Sequence, residues 1–306
     1  MTDKQCPFRA LLLAVFALGA CAASTPASVQ HRGEAMVAAA NPLAVEAGLR
    51  ILREGGDATD AAIATMAVLG LVEPQSAGVG GGGLLMHYQA ATHAIVFYDG
   101  RERAPAGAAP DMFLENGRPL PFDLEQASGR SIGTPSLYAM LKLAHDDHGR
   151  LPWAQLLQPA IELADNGFQI SPRMARYVGF MVTRGHLRED PAVRAYLLDA
   201  NGAPWPVGHL LRNPEYAATL RAIAALGPDA LTHGQIAEDI VAAARRAPRA
   251  GTLTLADLQA YRPTGLSLYA ARSALTACAQ PPRLDRAAPL SPFSAFISVR
   301  DPIQRA

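Results

Sequence analysis

The sequence of 306 residues is poor in lysine, in cysteine and in net charge. Its two lysines are Lys4 and Lys142, arginine supplies the other 25 basic side chains, and the formal net charge is zero. Because no excess of positive charge is available to hold phosphates, we expect no nucleic-acid partner. The three cysteines, Cys6, Cys21 and Cys278, are too few for a disulfide framework.

The first 21 residues read as an export signal rather than as part of the fold. Lys4 and Arg9 give the segment a positively charged start. Residues 10–18 then form an apolar run of signal-peptide length, which is too short to span a membrane as a helix. We therefore exclude residues 1–21 from the predicted domain.

The end of this segment, LGAC at residues 18–21, resembles a bacterial lipoprotein box. The resemblance implies cleavage before Cys21 and lipidation of its thiol, with residues 22–34 as a tether. We therefore expect an exported protein, anchored by lipid to the bacterial outer membrane on its periplasmic side. The alternative is an ordinary secretory signal that is cut after Ala22 or Ala23.

Two helices are predicted next, from the residues at their ends. Asn41 can cap the first helix, and Pro42 fits its first turn because the missing N–H has no partner there in any case. The glycines at 55–56 end this helix, since glycine tolerates the left-handed conformation. Asp57 caps the second helix, which runs to about Val72 and is apolar on every face. A helix that is apolar all round is buried, so we expect this one inside a layered fold.

Beyond these helices, residues 84–88 and 94–98 are short apolar and aromatic runs around a polar turn, and they predict paired strands. The rest of the chain has mainly helical spacing. Start and stop residues predict helices at 134–149, 152–167, 213–227 and around 236–240, and Thr254 with Asp257 forms a capping box before a short helix.

The glycine run at 78–83 matches the dinucleotide pattern G-x-G-x-x-G literally. That fingerprint follows a strand and opens a helix, whereas this run follows a helix and precedes a strand. It also lacks the Lys-Ser/Thr ending of a phosphate-binding loop. We favour a structural role over a binding role, because glycine lets two backbone segments approach closely.

Two further groups of residues are candidate sites. His145-Asp146-Asp147-His148 has spacing that could place two histidines on one helix face, but we favour a solvated helix end over a metal site. Arg101 follows the second predicted strand, and an arginine there is usually a solvated charge.

The order of these features resembles the gamma-glutamyltranspeptidase family, and the resemblance changes the interpretation of Arg101. The strings that carry it are the glycine run and REXAP at residues 101–105, where X stands for Arg103. Collinear blocks follow at 127–135, 158–168, 227–230 and 254–258. The resemblance implies that Arg101 binds the α-carboxylate of a γ-glutamyl group, which suits a planar guanidinium with two parallel donors. It also implies that glutathione or another γ-glutamyl compound is the substrate, and that no metal or cofactor is needed.

The implied fold is α+β, an αββα sandwich of the N-terminal nucleophile hydrolase type, present here as its large-subunit half over residues 35–282. In the family, a threonine in a Thr-Thr-His-like motif becomes the nucleophile after self-cleavage. We find no such motif, so we assign no catalytic residue to this chain, and a separately encoded small subunit is an expected partner. The alternative is a non-catalytic remnant or a lipid-anchored binding protein. Residues 283–306 are predicted to be an aberrant or disordered tail.

Overall fold

The computed structural model of the protein describes residues 35–183, 190–268 and 298–300. The predicted signal, the tether, Cys21 and Cys278 lie outside these residues, so the expectations about them stay predictions. Within the described ranges, no helix is long and apolar enough to cross a membrane.

Helices are the commonest regular elements of the described chain. In order they are α1 Pro42–Arg53, α2 Ala58–Val72, α3 Phe122–Gln126, α4 Leu137–His148, α5 Trp153–Asn166, α6 Pro172–Thr183, α7 Pro191–Leu197, α8 Pro214–Leu226, α9 Gly234–Ala244 and α10 Leu255–Ala260. Short 3₁₀ turns lie at Gly129–Ser131 and Gly227–Leu231.

The strands are β1 Met36–Ala38, β2 Gly83–Gln89, β3 Ala94–Gly100, β4 Leu114–Glu115, β5 Arg118–Pro119, β6 Phe168–Gln169, β7 Leu210–Leu211, β8 Thr264–Leu268 and β9 Ser298–Arg300. The main sheet is antiparallel and has the order β2-β3-β8. The other described strands pair as β1-β9, β4-β5 and β6-β7. Among described strands β2 is therefore an edge, whereas β3 is paired on both sides.

The first two helices begin and end as their terminal residues predict. The Asn41 side chain accepts a hydrogen bond from the backbone N–H of Leu43 at 3.0 Å. Gly55 ends α1 with a φ of 96°, a conformation that side chains with a Cβ rarely adopt. Asp57 caps α2 in a reciprocal box with Asp60, which satisfies two otherwise unpaired N–H groups. The prediction of this helix pair is confirmed.

Helix α2 is the centre of the core, as its apolar faces predicted. Twelve of its 15 residues are buried, and it packs against α1, α4 and α5. Its C-terminal end is held by Glu73, which is 1% exposed. The Glu73 carboxylate accepts hydrogen bonds from Asn41 Nδ2 (2.9 Å), Ser171 Oγ (3.3 Å) and Arg173 Nε (3.0 Å). One buried carboxylate thus joins the starts of α1 and α6 to the end of α2.

The two faces of the main sheet differ. One face packs on helices: α4 lies so close that a Cβ on Gly100 would come within 2.4 Å of Met140 Cβ. His87 and Tyr98 also point to this face and bond to α2 and α4. Among the side chains whose exposure is described, the opposite face carries four exposed apolar ones, Leu84, Met86, Tyr88 and Leu266, whereas Phe97 on the same face is buried. Cross-strand pairing places them on one side of the sheet.

Several elements were not predicted. Helices α3, α6 and α7 and strand β8 were missed, although Ser171-Pro172 and Asp190-Pro191 carry the same cap-and-proline signal as Asn41-Pro42. Helix α4 begins at Leu137 rather than at Thr134. Within the segment predicted as an aberrant or disordered tail, β9 pairs antiparallel with β1. The rest of that tail lies outside the described residues.

Candidate functional site

Arg101 lies directly after β3, at the end of the sheet where β8 begins. Its backbone N–H donates to Asp99 Oδ1 at 2.9 Å, and its carbonyl accepts from the Tyr261 hydroxyl at 2.8 Å. The preceding carbonyl, of Gly100, accepts from Ser136 Oγ at the start of α4. Three elements therefore fix the main chain from which the Arg101 side chain extends.

The segment that follows Arg101 is anchored as firmly. Arg103 forms an isolated antiparallel bridge with Thr134, whose N–H donates to the Arg103 carbonyl at 2.8 Å. The Ala106 N–H donates to Asp257 Oδ1 at 2.8 Å. Burial opposes ionisation of Asp257, but hydrogen bonds from Thr254 and Ala106 lower its pKa below the ordinary value. The ionised capping residue of α10 thus also holds the site segment.

The glycine run lies against this segment. A Cβ on Gly82 would lie 2.6 Å from the Gly100 carbonyl oxygen and 2.7 Å from the Glu102 carboxylate. These distances are shorter than van der Waals contact, so only glycine fits at position 82. The next residue, Gly83, opens β2, and the Gly81 carbonyl accepts from the N–H groups of Ser136 and Leu137. This packing gives the run the structural role that the sequence analysis favoured.

The charged side chains at the site differ in their exposure and in their partners. The Arg101 side chain is 32% exposed, and its Nη1 lies 3.2 Å from Glu102 Oε2. Oε2 is buried and makes no hydrogen bond of good geometry with the described residues, so the pair is an ion pair without aligned donors. The Arg103 guanidinium lies over the Tyr261 ring, 5.2 Å from its centroid, in cation–π geometry.

This arrangement can bind a carboxylate. A guanidinium presents two parallel N–H donors to a carboxylate, and such charge-assisted bonds are stronger than neutral ones. Glu102 lies beside Nη1, and the rest of the guanidinium is partly open to solvent. Because burial raises the pKa of Tyr261, its phenol stays protonated near neutral pH and remains a donor to the Arg101 carbonyl.

The sequence indicates Arg101 as a candidate, a prediction that stays untested, but it does not indicate the residues that hold its main chain. Tyr261, Ser136 and Asp99 belong to no pattern that was singled out, and Tyr261 is 160 positions away. The only local signal near Tyr261 is the capping box that begins α10, a short helix that ends at Ala260. Register between β3 and β8 then sets its position.

The histidines of the His145–His148 segment do not form a solvated helix end, so that interpretation was wrong for them. Asp146 and Asp147 are exposed, but His145 is mostly buried and lies 2.9 Å from the Leu151 carbonyl. His148 stacks on His87 at 3.7 Å and lies 2.8 Å from the Tyr98 hydroxyl. No group of three potential metal ligands occurs among the described side chains.

One string, at residues 129–133, matches the nucleophile-elbow pattern Gly-x-Ser-x-Gly. An elbow places its serine on a sharp turn between a strand and a helix, with the hydroxyl exposed. Ser131 lies instead in the 3₁₀ turn Gly129–Ser131, and its hydroxyl donates to the Ser128 carbonyl at 2.9 Å. This serine is therefore not placed as a nucleophile.

Comparison with known proteins identifies one family. A protein-family model described as Gamma-glutamyltranspeptidase matches residues 44–283. Glutathione hydrolase proenzyme of Bacillus subtilis is 37% identical over 229 residues, which cover 74% of this chain and 38% of that protein. Glutathione hydrolase 2 of Arabidopsis thaliana is 38% identical over 214 residues, or 70% of this chain and 35% of that protein. The chain thus spans less than half the length of these curated relatives.

The fold comparison agrees with the sequence comparison. The crystal structure of Helicobacter pylori gamma-glutamyltranspeptidase superposes with a TM-score of 0.70 and 31% identity. The match covers 75% of this chain and 64% of that chain. At 31% identity, the similarity indicates a shared family as well as a shared fold.

Proposed function

The chain belongs to the gamma-glutamyltranspeptidase family, and on that premise we propose that it forms the γ-glutamyl-binding part of a glutathione hydrolase or γ-glutamyltransferase. Its described part has the α+β fold of the N-terminal nucleophile hydrolases, as the sequence analysis predicted. The proposed substrate is glutathione or another compound with a γ-glutamyl group.

The observation that carries the proposal is the placement of Arg101. Its guanidinium is half-buried at the end of the sheet, and its main chain is held by Asp99 and Tyr261. The main chain at the base of the side chain is thus held, and the guanidinium, which lies beside Glu102 on one side, stays partly exposed and can receive a small carboxylate. In the proposed complex, Arg101 donates two hydrogen bonds to the α-carboxylate of the γ-glutamyl group.

We assign the nucleophile to a second segment, which would also supply the remaining substrate ligands. In this proposal a threonine at a new N-terminus attacks the γ-glutamyl carbonyl, and its own α-amine takes the hydroxyl proton. The γ-amide C–N bond then breaks, and the proton passes from the α-amine to the leaving amine. Two observations support a second segment: the curated relatives are more than twice as long as the matched part, and one face of the sheet exposes Leu84, Met86 and Tyr88. Contiguous apolar surface of this kind is typical of an interface.

The experiment that tests substrate binding is a titration of the purified chain with L-glutamate, followed by NMR. Arg101→Lys keeps the charge but cannot donate two parallel hydrogen bonds to the carboxylate, so we expect binding at least about tenfold weaker. Arg103→Lys is the matched control and should change little. 4-Aminobutyrate, which lacks the α-carboxylate, should not compete. Equal losses from both substitutions would show that the wrong arginine has been placed in the site.

The alternative is a non-catalytic remnant or a lipid-anchored binding protein. The titration does not separate the enzyme from the binding protein, since both require binding, whereas a remnant need not bind. The DNA that follows codon 306 separates the enzyme from the binding protein. A Thr-Thr-His-like motif encoded directly downstream would favour the enzyme. Its absence, together with tight binding of L-glutamate, would favour the binding protein.

We also propose that the protein is exported and lipid-anchored through Cys21, on the basis of the LGAC string at residues 18–21. Mass spectrometry of the mature N-terminus tests this. The expected product begins at Cys21 and carries acyl chains. An unmodified chain that begins at Ala23, and is unchanged by Cys21→Ser, would refute it.

A further inference from the structure

The Tyr261 hydroxyl makes a contact that the proposed function does not by itself require. It donates to the Arg101 carbonyl at 2.8 Å, although the two residues are 160 positions apart. Tyr261 is 8% exposed, and its ring lies beneath the Arg103 guanidinium. One side chain therefore contacts both arginines of the site segment, one through its hydroxyl and the other through its ring.

The fold brings Tyr261 to this place through strand register. β8 pairs antiparallel with β3, and Asp99 lies opposite Thr264. Continuing this register past the end of β3 sets Arg101 beside the residues that lead into β8. Helix α10 ends at Ala260, so Tyr261 is the first residue after the helix and is already extended toward the sheet.

We propose that Tyr261 is a positioning residue for the α-carboxylate, acting through the main chain of Arg101; this rests on the proposed function of Arg101. A bidentate contact requires the guanidinium within about 0.5 Å and about 10–20° of its productive geometry. The Tyr261 hydroxyl fixes the carbonyl on one side of the Arg101 Cα, and Asp99 fixes the N–H on the other. Together they set the direction in which the side chain leaves the backbone.

Tyr261→Phe isolates this role, because it removes the hydroxyl and keeps the ring under Arg103. The chain also offers a matched control. The Tyr216 hydroxyl donates to the Ala67 carbonyl at 2.8 Å, the same type of bond at the same distance, but in the helical core on α8. Tyr216→Phe should therefore cost similar stability without touching the partners of Arg101.

The experiment measures two quantities on the full chain: the dissociation constant for L-glutamate, and the heteronuclear NOE of the Arg101 Nε–H group, assigned with Arg101→Lys. We expect Tyr261→Phe to weaken binding by about three- to tenfold, the equivalent of one neutral hydrogen bond, and to lower the Arg101 NOE. Tyr216→Phe should bind within about twofold of the wild type, since it loses a bond of the same size elsewhere, and leave that NOE unchanged.

Each other outcome overturns the inference in a distinguishable way. If Tyr261→Phe binds like the wild type while Arg101→Lys does not, the proposed function stands and the positioning role is wrong. If both tyrosine variants lose affinity equally, the effect is one of general stability. If Arg101→Lys binds like the wild type, or the wild type does not bind, the proposed function itself fails. Should Tyr261→Phe not fold, Ser136→Ala carries the same test, because Ser136 holds the neighbouring carbonyl.

Discussion

Acidification should destabilise the protein through His87, a buried residue of β2. Its imidazole stacks on His148 with ring centroids 3.7 Å apart, and its Nδ1 lies 3.2 Å from the Thr59 hydroxyl of α2. His148 in turn contacts the Tyr98 hydroxyl, which donates to Asp147. Burial of the imidazole, with a smaller effect of His148, lowers the pKa of His87 from 6.5 to about 4.

The direction of this pH effect follows from comparing proton uptake by the folded and unfolded states. Between pH 6.5 and 4 the unfolded chain takes up a proton at His87 and the folded chain does not, so protonation favours unfolding. Above pH 6.5 the neutral His87 imidazole does not lower the free energy of unfolding. As the pH falls from 6.5 toward 4, that free energy decreases, because only the unfolded chain takes up the proton. Because each pH unit is worth about 1.4 kcal/mol, the loss between pH 7 and pH 5 is at most about 2 kcal/mol.

Urea unfolding at a series of pH values between 7.5 and 4.5 measures this effect. His87→Asn keeps a polar group near Thr59 but cannot take up the proton, so its free energy of unfolding should fall less steeply with pH than that of the wild type. His93→Asn is the control: His93 is exposed, with a φ of 55° that asparagine tolerates, and it reports the contribution of an exposed histidine. Parallel pH slopes for the wild type and His87→Asn would refute the reasoning.

Three further predictions concern the catalytic competence and the packing of the chain. Residues 22–306 should release no chromogenic amine from a γ-glutamyl anilide, since no N-terminal threonine is present to form an acyl-enzyme; release above the Arg101→Ala variant would contradict this. Glu73→Ala should lower the free energy of unfolding by about 2–4 kcal/mol, because donors at the starts of α1 and α6 lose their buried acceptor; a cost below about 1 kcal/mol in urea unfolding would contradict the role of the carboxylate in connecting these helices. Gly82→Ala should cost about 1–3 kcal/mol from contact with the Gly100 carbonyl, whereas Gly80→Ala, with open space around its Cβ position, should change thermal unfolding little.

The sequence by itself determined the local structure of the first half of the domain. The start of α1 follows from Asn41 and Pro42, its end from Gly55, and the start of α2 from Asp57, because each satisfies or removes an unpaired backbone group within a few residues. The hairpin of β2 and β3 follows from two apolar runs around a short turn. Arg101 was found through its string of neighbours, although its role required the family resemblance.

Only the tertiary structure decided what surrounds these elements. Tyr261 reaches Arg101, His148 reaches His87, and Arg173 reaches Glu73, each across 60 or more positions of the chain. Such contacts depend on the strand register and helix packing of the whole domain, which no short window of sequence encodes. The expectation that the histidines at the end of α4 are solvated was wrong for this reason. Helix periodicity places them on one face of the helix, but only the packing of α4 on the sheet covers that face.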